Sequence, residues 1–497
     1  MTTAVSKRRS AYVLLPSTNM WNVDNPGASP AFVRQMGTYR QGSRARPSEG
    51  ALLAGMQIVD RVAPGDTVLV NMTDDERLAL LLEQPGLRIL PVGELAPLWL
   101  RHPIVIPFIG LQARARVALT VDVVDAESGA PLPNVDVVGY VNRAERVGAS
   151  SRTNARGRAR LMFPQDVTAL ESVEAYPASG YWQAYVAKAA VGAETLRIAC
   201  RPIDFATGDA RRHFGFEGAE GDGEGVRVAV IDTGVAKHPD LKIARGVNVV
   251  QGEKASDVAD QVGHGTHVAG IIAGRAAPGK GVRGVAPAAA LNVYRVFGRS
   301  QETATSFNIA KGIRQAVDDG CDVINLSLGG AGDVPDVLRE IQRARALGVV
   351  CVAATGNDYR APVSYPARYS QVMAVTAMGR RGTFPRGALQ TLEVAKPFGV
   401  DRKNFVAAFS NVGSEVSLTG PGVGIVSTYL DGYAVMDGTS MACPVMSGAV
   451  ARLLARHPRL LGMARNQKRS DEILRLALNE AEKLGFGVNF EGAGILM

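Results

Sequence analysis

Four cysteines in 497 residues (Cys200, Cys321, Cys351 and Cys443) lie far apart and form no Cys-x-x-Cys pair. That excludes a disulfide framework, and Cys321 and Cys351, set in apolar runs, read as small core residues. Aromatic residues make up 6%, and no basic stripe is interleaved with them. The net charge of +8 is spread along the chain in brief arginine clusters, so a nucleic-acid partner is not expected. The charge reads instead as solubility, with a mild preference for acidic surfaces. No apolar run is long enough to span a bilayer. Lys7-Arg8-Arg9 is followed by only five apolar residues before Pro16, too short a run for a signal peptide. That stretch reads as a strand, and the expected location is cytoplasmic or reached by a non-standard export route.

What is present is ordinary for folded protein: 46% hydrophobic and 21% charged residues. The length calls for two to four domains. Four short blocks carry chemistry. Val228-Ala229-Val230-Ile231, an apolar run of the kind found in buried parallel strands, ends in Asp232-Thr233-Gly234. Gly263-His264-Gly265-Thr266-His267 opens a helix. Val349 to Ala354 is a second apolar run, ending in Thr355-Gly356-Asn357. Gly438-Thr439-Ser440-Met441-Ala442 is a small, flexible turn leading into a helix-forming run. A carboxylate, an imidazole, a side-chain amide and a hydroxyl therefore stand where strands end or helices begin, the edge of an open parallel sheet at which active sites form. Ser440 at a helix N-terminus would have free N–H groups beside it to hold an oxyanion.

Each block has a plainer reading. Asp-Thr-Gly also marks aspartic peptidases, but their chemistry shares a proton between two carboxylates and only one copy occurs here. His264 and His267 have the spacing of metal ligands, yet no Cys, His or Glu cluster accompanies them, and His267 reads as structural. Gly274 to Gly281 nearly matches a phosphate-binding loop but lacks the Ser/Thr hydroxyl and follows a helix.

Taken together, the blocks closely resemble the subtilisin-like serine peptidase family, in the family's order Asp, His, Asn, Ser. Gly284-Val285-Ala286-Pro287, Asp322 to Gly330, Tyr365-Pro366-Ala367 and Pro421-Gly422-Val423 extend the resemblance over about residues 205–497. It implies an α/β fold with a doubly wound, mostly parallel sheet. It further implies that Asp232 orients His264, that His264 is the general base for Ser440, and that Asn357 completes an oxyanion hole. Ser327, Leu328, Gly329, Ala353, Ala354 and Thr355 would wall the main specificity pocket, with Ser364 near its floor and Asp358 near its mouth. Residues 299–303 would form an edge for extended substrate. Two departures stand out. Val445-Met446 replaces the family's usual His-Val, at a structural position. Residues 275–283 lack the Asn of the family's calcium loop, so no metal and no cofactor is expected.

Upstream, residues 10–105 read as a small α/β module. Tyr12 to Leu15 and Thr67 to Val70 are strand candidates, Thr73-Asp74-Asp75-Glu76 is a capping box, Leu78, Leu81 and Leu82 mark a helix stripe, and Gly86 to Pro91 holds a closing strand. The module resembles the inhibitory propeptide of the same family. The resemblance implies that Leu95 to Leu100 enters the cleft, with a cut just beyond Leu100 or else in the Gly-rich connection between Gly208 and Gly225. Residues 113–200 alternate as short strands with tight turns and resemble transthyretin-like β-sandwich domains. Residues 380–404 read as an insertion that loops out, and the helix after the serine turn is expected from Pro444. The reading is a serine endopeptidase made as a zymogen, acting on protein or peptide substrates. A permanently plugged peptide- or partner-binding protein is the alternative, and a transpeptidase a third possibility.

Overall fold

The computed structural model describes residues 9–15, 57–63, 66–84, 87–100, 116–192 and 194–497. Among them, nine strands of the C-terminal part form one sheet. Seven of these run parallel, six in the order Ile243–Asn248, Ala290–Arg295, Arg227–Asp232, Val323–Leu326, Val350–Ala354 and Met373–Arg380, with Val416–Pro421 beside the last. The apolar runs of all but the edge strand Ile243–Asn248 are buried on both faces, as a parallel sheet covered by helices requires. Val228 and Val230 face the helices His264–Ala273 and Thr439–Arg456. Ala229 and Ile231 face Ser306–Asp318 and Pro335–Ala346.

Two expectations need correction here. Residues 380–404 do not loop out. Asn404–Ala407 pairs antiparallel with Met373–Arg380, and Val394–Phe398 pairs with it in turn. The intervening turn Leu389–Glu393 buries Leu389, Gln390 and Glu393. Its polar composition concealed this, because the burial partners lie in another part of the chain. The serine helix starts at Thr439, with Pro444 inside it. Pro444 has no N–H to give the carbonyl of Ser440 four residues back. That carbonyl accepts a hydrogen bond from the Ser327 hydroxyl instead, at 3.0 Å.

The N-terminal module is an antiparallel sheet ordered Gln57–Arg61, Val68–Met72, Ser10–Leu15, Arg88–Pro91, crossed by the helix Asp74–Glu83. Both capping-box bonds are present between Thr73 and Glu76. The helix buries Leu80, whereas Leu78 and Leu82 are 52% and 85% exposed, so the leucine stripe read from sequence is off by its inward residue. The strand Gln57–Arg61 went unread. On the opposite face Val13 and Leu15 pack on Phe307 of the catalytic part. Asp60 pairs with Lys311 at 2.6 Å, and Asp66 with Arg314 and Arg339 at 3.1 and 2.8 Å.

Residues 116–200 form sheets of four and three strands around Val121, Val123, Val137, Leu161, Phe163 and Val173. This sandwich is fixed to the rest. Trp182 packs with Ala388, Val426 and Val435, and Gly180 N–H donates to the Tyr433 carbonyl at 2.8 Å.

Asp322, at the amino end of a central strand, accepts from Arg227 N–H and pairs with Arg465 and the fully buried Arg469, both at 2.8 Å. Removing one partner of a buried pair leaves a charge without compensation. Asp322→Ala, in a Ser440→Ala background to prevent autolysis, is expected to lose about 3–5 kcal/mol in chemical denaturation. A loss under about 1 kcal/mol would show the pair to be dispensable.

Candidate functional site

The strand Arg227–Asp232 delivers Asp232 at its carboxyl end, and the helix His264–Ala273 opens with His264. Both side chains are buried, and His264 Nδ1 lies 2.7 Å from Asp232 Oδ1. Thr233 N–H also donates to that oxygen at 2.7 Å. Among the described residues Asp232 Oδ2, His264 Nε2 and Asn357 Nδ2 have no hydrogen-bond partner. A buried imidazole nitrogen and a buried amide without partners are costly unless something else uses them.

Ser440 is the second residue of its helix. Its hydroxyl donates to the Ser327 carbonyl at 2.8 Å. Asn357 Oδ1 accepts from Thr439 N–H and hydroxyl at 2.9 and 3.0 Å, which fixes the amide and turns its NH2 the other way. The structure thus gathers all four chemistry-bearing residues at one sheet edge.

That edge is occupied by the chain itself. Glu94–Pro97 lies as an antiparallel strand between Ala304–Thr305 and Leu328–Gly329. The paired edge is therefore residues 304–305 rather than the expected 299–303. Thr303 adds a hydroxyl bond to Glu94 at 3.1 Å. Leu98 N–H donates to the Ser327 carbonyl at 3.2 Å, and the Leu98 carbonyl accepts from Ser440 N–H at 3.0 Å. Beyond it, Leu100 N–H donates to the Asp437 carbonyl at 2.9 Å, and the Trp99 ring meets His264 edge-on at 5.3 Å between centroids. The peptide unit between Leu98 and Trp99, two residues before the expected cut, rests on the serine turn. Gly438 permits this approach: its φ is +152°, and a Cβ there would lie 2.6 Å from the Leu98 oxygen and 3.4 Å from Asn357 Nδ2.

The expected wall residues divide in two. Leu328 and Gly329 pair with Pro97 and Ala96, and a Cβ on Gly329 would lie 2.7 Å from Leu98 Cδ1 and 3.3 Å from Ser364 Cβ. Ser327 and Gly329 thus lie against Leu98, with Ser364 close to Gly329. Ala353, Ala354 and Thr355 are buried, and the Thr355 carbonyl accepts from Ser364 N–H at 2.8 Å. Asp358 is exposed and bonds Asn411 Nδ2 at 2.9 Å.

Two residues escaped the sequence reading. Asp260 accepts from Thr233 and Thr266 hydroxyls and from the N–H groups of Val262, Gly263 and Thr266, tying the aspartate strand to the histidine helix. Its place four residues before His264 was the only available signal. Asp437 carried none. His267 keeps its structural role: Nε2–H faces the Ile425 and Ala434 carbonyls, and burial pushes its pKa down to about 3.

Residues 275–283 are held by protein donors. Val282 N–H and the Tyr433 hydroxyl both donate to Asp240 Oδ2 at 2.9 Å. Among the described residues no group of three or more His, Cys, Asp or Glu is placed to hold a metal ion.

A buried carboxylate, imidazole and hydroxyl at the carboxyl edge of a parallel sheet, with a backbone N–H on one carbonyl and a side-chain amide without a partner, make a site of the serine-hydrolase type. The chain belongs to the subtilase family, whose model matches residues 223–494, more than half its length. It is 39% identical over 237 residues to a thermostable alkaline protease of Halalkalibacterium halodurans, covering 48% of this chain and 58% of that protein. It is 40% identical over 237 residues to subtilisin Savinase of Lederbergia lenta, covering 48% and 78%. To subtilisin DY of Bacillus licheniformis it is 38% identical over 244 residues, covering 48% and 80%. The match thus spans less than two thirds of the alkaline protease.

Asp240→Ala, which strands two donors, is expected to cost about 1–3 kcal/mol. A calcium chelator is expected to leave the melting temperature of the unaltered protein nearly unchanged. A large drop restored by calcium would place a cation in this loop.

Proposed function

We propose that the chain is a serine endopeptidase synthesised as a self-inhibited precursor, and that the peptide bond between Leu98 and Trp99 is its first substrate. The observation that carries this reading is the 3.0 Å bond from Ser440 N–H to the Leu98 carbonyl, within a segment paired on both sides of the reacting serine. Ser440 Oγ leaves the Ser327 carbonyl and attacks the Leu98 carbon while His264 Nε2 takes its proton. Asp232 holds the tautomer and stabilises the imidazolium. The oxyanion draws on Ser440 N–H and Asn357 Nδ2–H. His264 returns the proton to the Trp99 nitrogen as the C–N bond breaks, and water then releases the acyl group. The free Nε2 of His264 and the free Nδ2 of Asn357 are the groups these steps need.

Residues 10–98 serve in this reading as the inhibitory module. The bond would break only at the serine, while Asp60, Asp66, Val13 and Leu15 keep the fragment on the helices beneath. Leu98, then Pro97, Ala96 and the buried Leu95, the first to fourth residues before the bond, describe the preferred unprimed sequence. One observation favours a plugged binding protein: the Ser440 hydroxyl points to Ser327 and not to His264.

Intact mass decides between them. Wild type is expected as two pieces divided after Leu98, the larger labelled by a fluorophosphonate, and Ser440→Ala as the uncut 52.5 kDa chain. Wild type that stays uncut and unlabelled would establish the plugged reading. Ser440→Ala is expected to lose about a millionfold in peptide hydrolysis, and Asn357→Ala about a hundred- to a thousandfold, the scale known for a member of this family.

The module's hold is pH-dependent with a defined sign. Burial alone would raise the Asp66 pKa, but Arg339, Thr67 N–H and Arg314 outweigh it and hold it below 3.8. A depressed carboxylate pKa contributes above the free value and is lost as pH falls through the docked one. Retention of the cut fragment in size-exclusion chromatography is therefore expected to weaken below about pH 4, and Asp66→Asn to abolish that acid-side change.

A further inference from the structure

The sandwich has no part in the chemistry, yet it reaches the far side of the cut. Leu100, the second residue beyond it, lines a small cavity whose other walls are Tyr140, Arg143, Arg146, Glu174 and Tyr176 of the sandwich and Tyr359 of the catalytic part. The room left beside Leu100 is about 30 Å³. We propose that the β-sandwich forms the subsite for the second residue after the scissile bond, and that Arg146 selects an acidic side chain there.

The inference rests on the peptidase reading above and on three observations. First, the sandwich is part of the cleft. Val138, Tyr140 and Tyr176 pack on Leu389, and Gln183 Nε2 donates to the Val435 carbonyl at 2.7 Å. Gln390 Nε2 joins Gln183 Oε1 to the buried Asp437 carboxylate, at 3.1 and 2.7 Å. Asp437 is the residue whose carbonyl receives Leu100 N–H, so the sandwich braces the backbone that binds this position.

Second, one of the charged groups around the cavity has no direct partner. Glu174 accepts from Arg143 Nε at 2.8 Å and from the hydroxyls of Ser172 and Tyr176, and Arg143 also lies 4.0 Å from Glu393. Arg146 is the remaining cation. Its backbone N–H bonds Arg143, but its guanidinium has no hydrogen bond or ion pair among the described residues. Arg146 lines the cavity together with Tyr140 and Tyr359.

Third, the local backbone is arranged to present these groups. Arg146 has φ +56°, and Tyr359 and Arg360, just beyond Asn357, have φ +53° and +72°. Non-glycine residues rarely adopt this region, and such strain concentrates at functional sites. The chain's own Leu100 gives Arg146 nothing to pair with, so a substrate carboxylate is the better occupant.

The test uses quenched fluorogenic peptides bearing Leu-Ala-Pro-Leu before the cut, with Glu, Leu or Lys at the second position after it. The readout is the ratio of kcat/KM for the Glu and Lys peptides, which does not depend on the active fraction. Wild type is expected to prefer Glu by about two- to fivefold, as a partly exposed ion pair allows. Arg146→Asn should bring the ratio near one and Arg146→Asp should reverse it; both residues tolerate the left-handed backbone. A wild-type ratio of one, or a preference that neither variant changes, overturns the inference and leaves the peptidase reading intact. No hydrolysis of any of the peptides by wild type overturns both.

Discussion

Two short edge segments, Ala304–Thr305 and Leu328–Gly329, stand one strand apart at the carboxyl end of the parallel sheet, and the space between them governs the molecule. Backbone N–H and C=O groups facing such a gap need partners. Glu94–Pro97 supplies them, and its direction then leaves Leu98 against Gly329 and the next peptide unit on Ser440 N–H.

The serine turn is held from below by an exchange that proline makes possible. Because Pro444 cannot donate to the Ser440 carbonyl, Ser327 does, and the Ser327 carbonyl in turn receives both the Ser440 hydroxyl and Leu98 N–H. Cys443 and Ser447, on the same helix, both bond Asn325 Oδ1. The strand that borders the gap and the helix that carries the serine are therefore positioned by the same few groups. On the other side Asp260 does the corresponding work for Asp232 and His264 through Thr233 and Thr266. Neither network touches the peptide unit at Ser440 through Asn325 or Asp260; they act by fixing the residues that do.

The sequence alone determined the fold class of residues 205–497 and the four blocks of the site. Continuous apolar runs, glycine-rich turns and polar residues at their ends are local signals with one physical meaning in an open parallel sheet. The capping box at Thr73 and Glu76 was legible for the same reason, since both partners lie within four residues. What tertiary structure decided was everything that depends on a distant surface. The burial of Leu80 in place of its neighbours depends on which sheet lies beneath that helix. The docking of residues 380–404 depends on Tyr140, Tyr176 and Trp182, more than 200 residues earlier. The peptide unit at Ser440 is the sharpest case. Leu98, Trp99 and Leu100 are an unremarkable apolar stretch in sequence, and nothing in their own composition distinguishes the bond after Leu98 from that after Leu100. The register of Ala96 against Gly329 makes the choice, because pairing in a strand advances in fixed steps and a shift of one residue would turn every side chain to the opposite face.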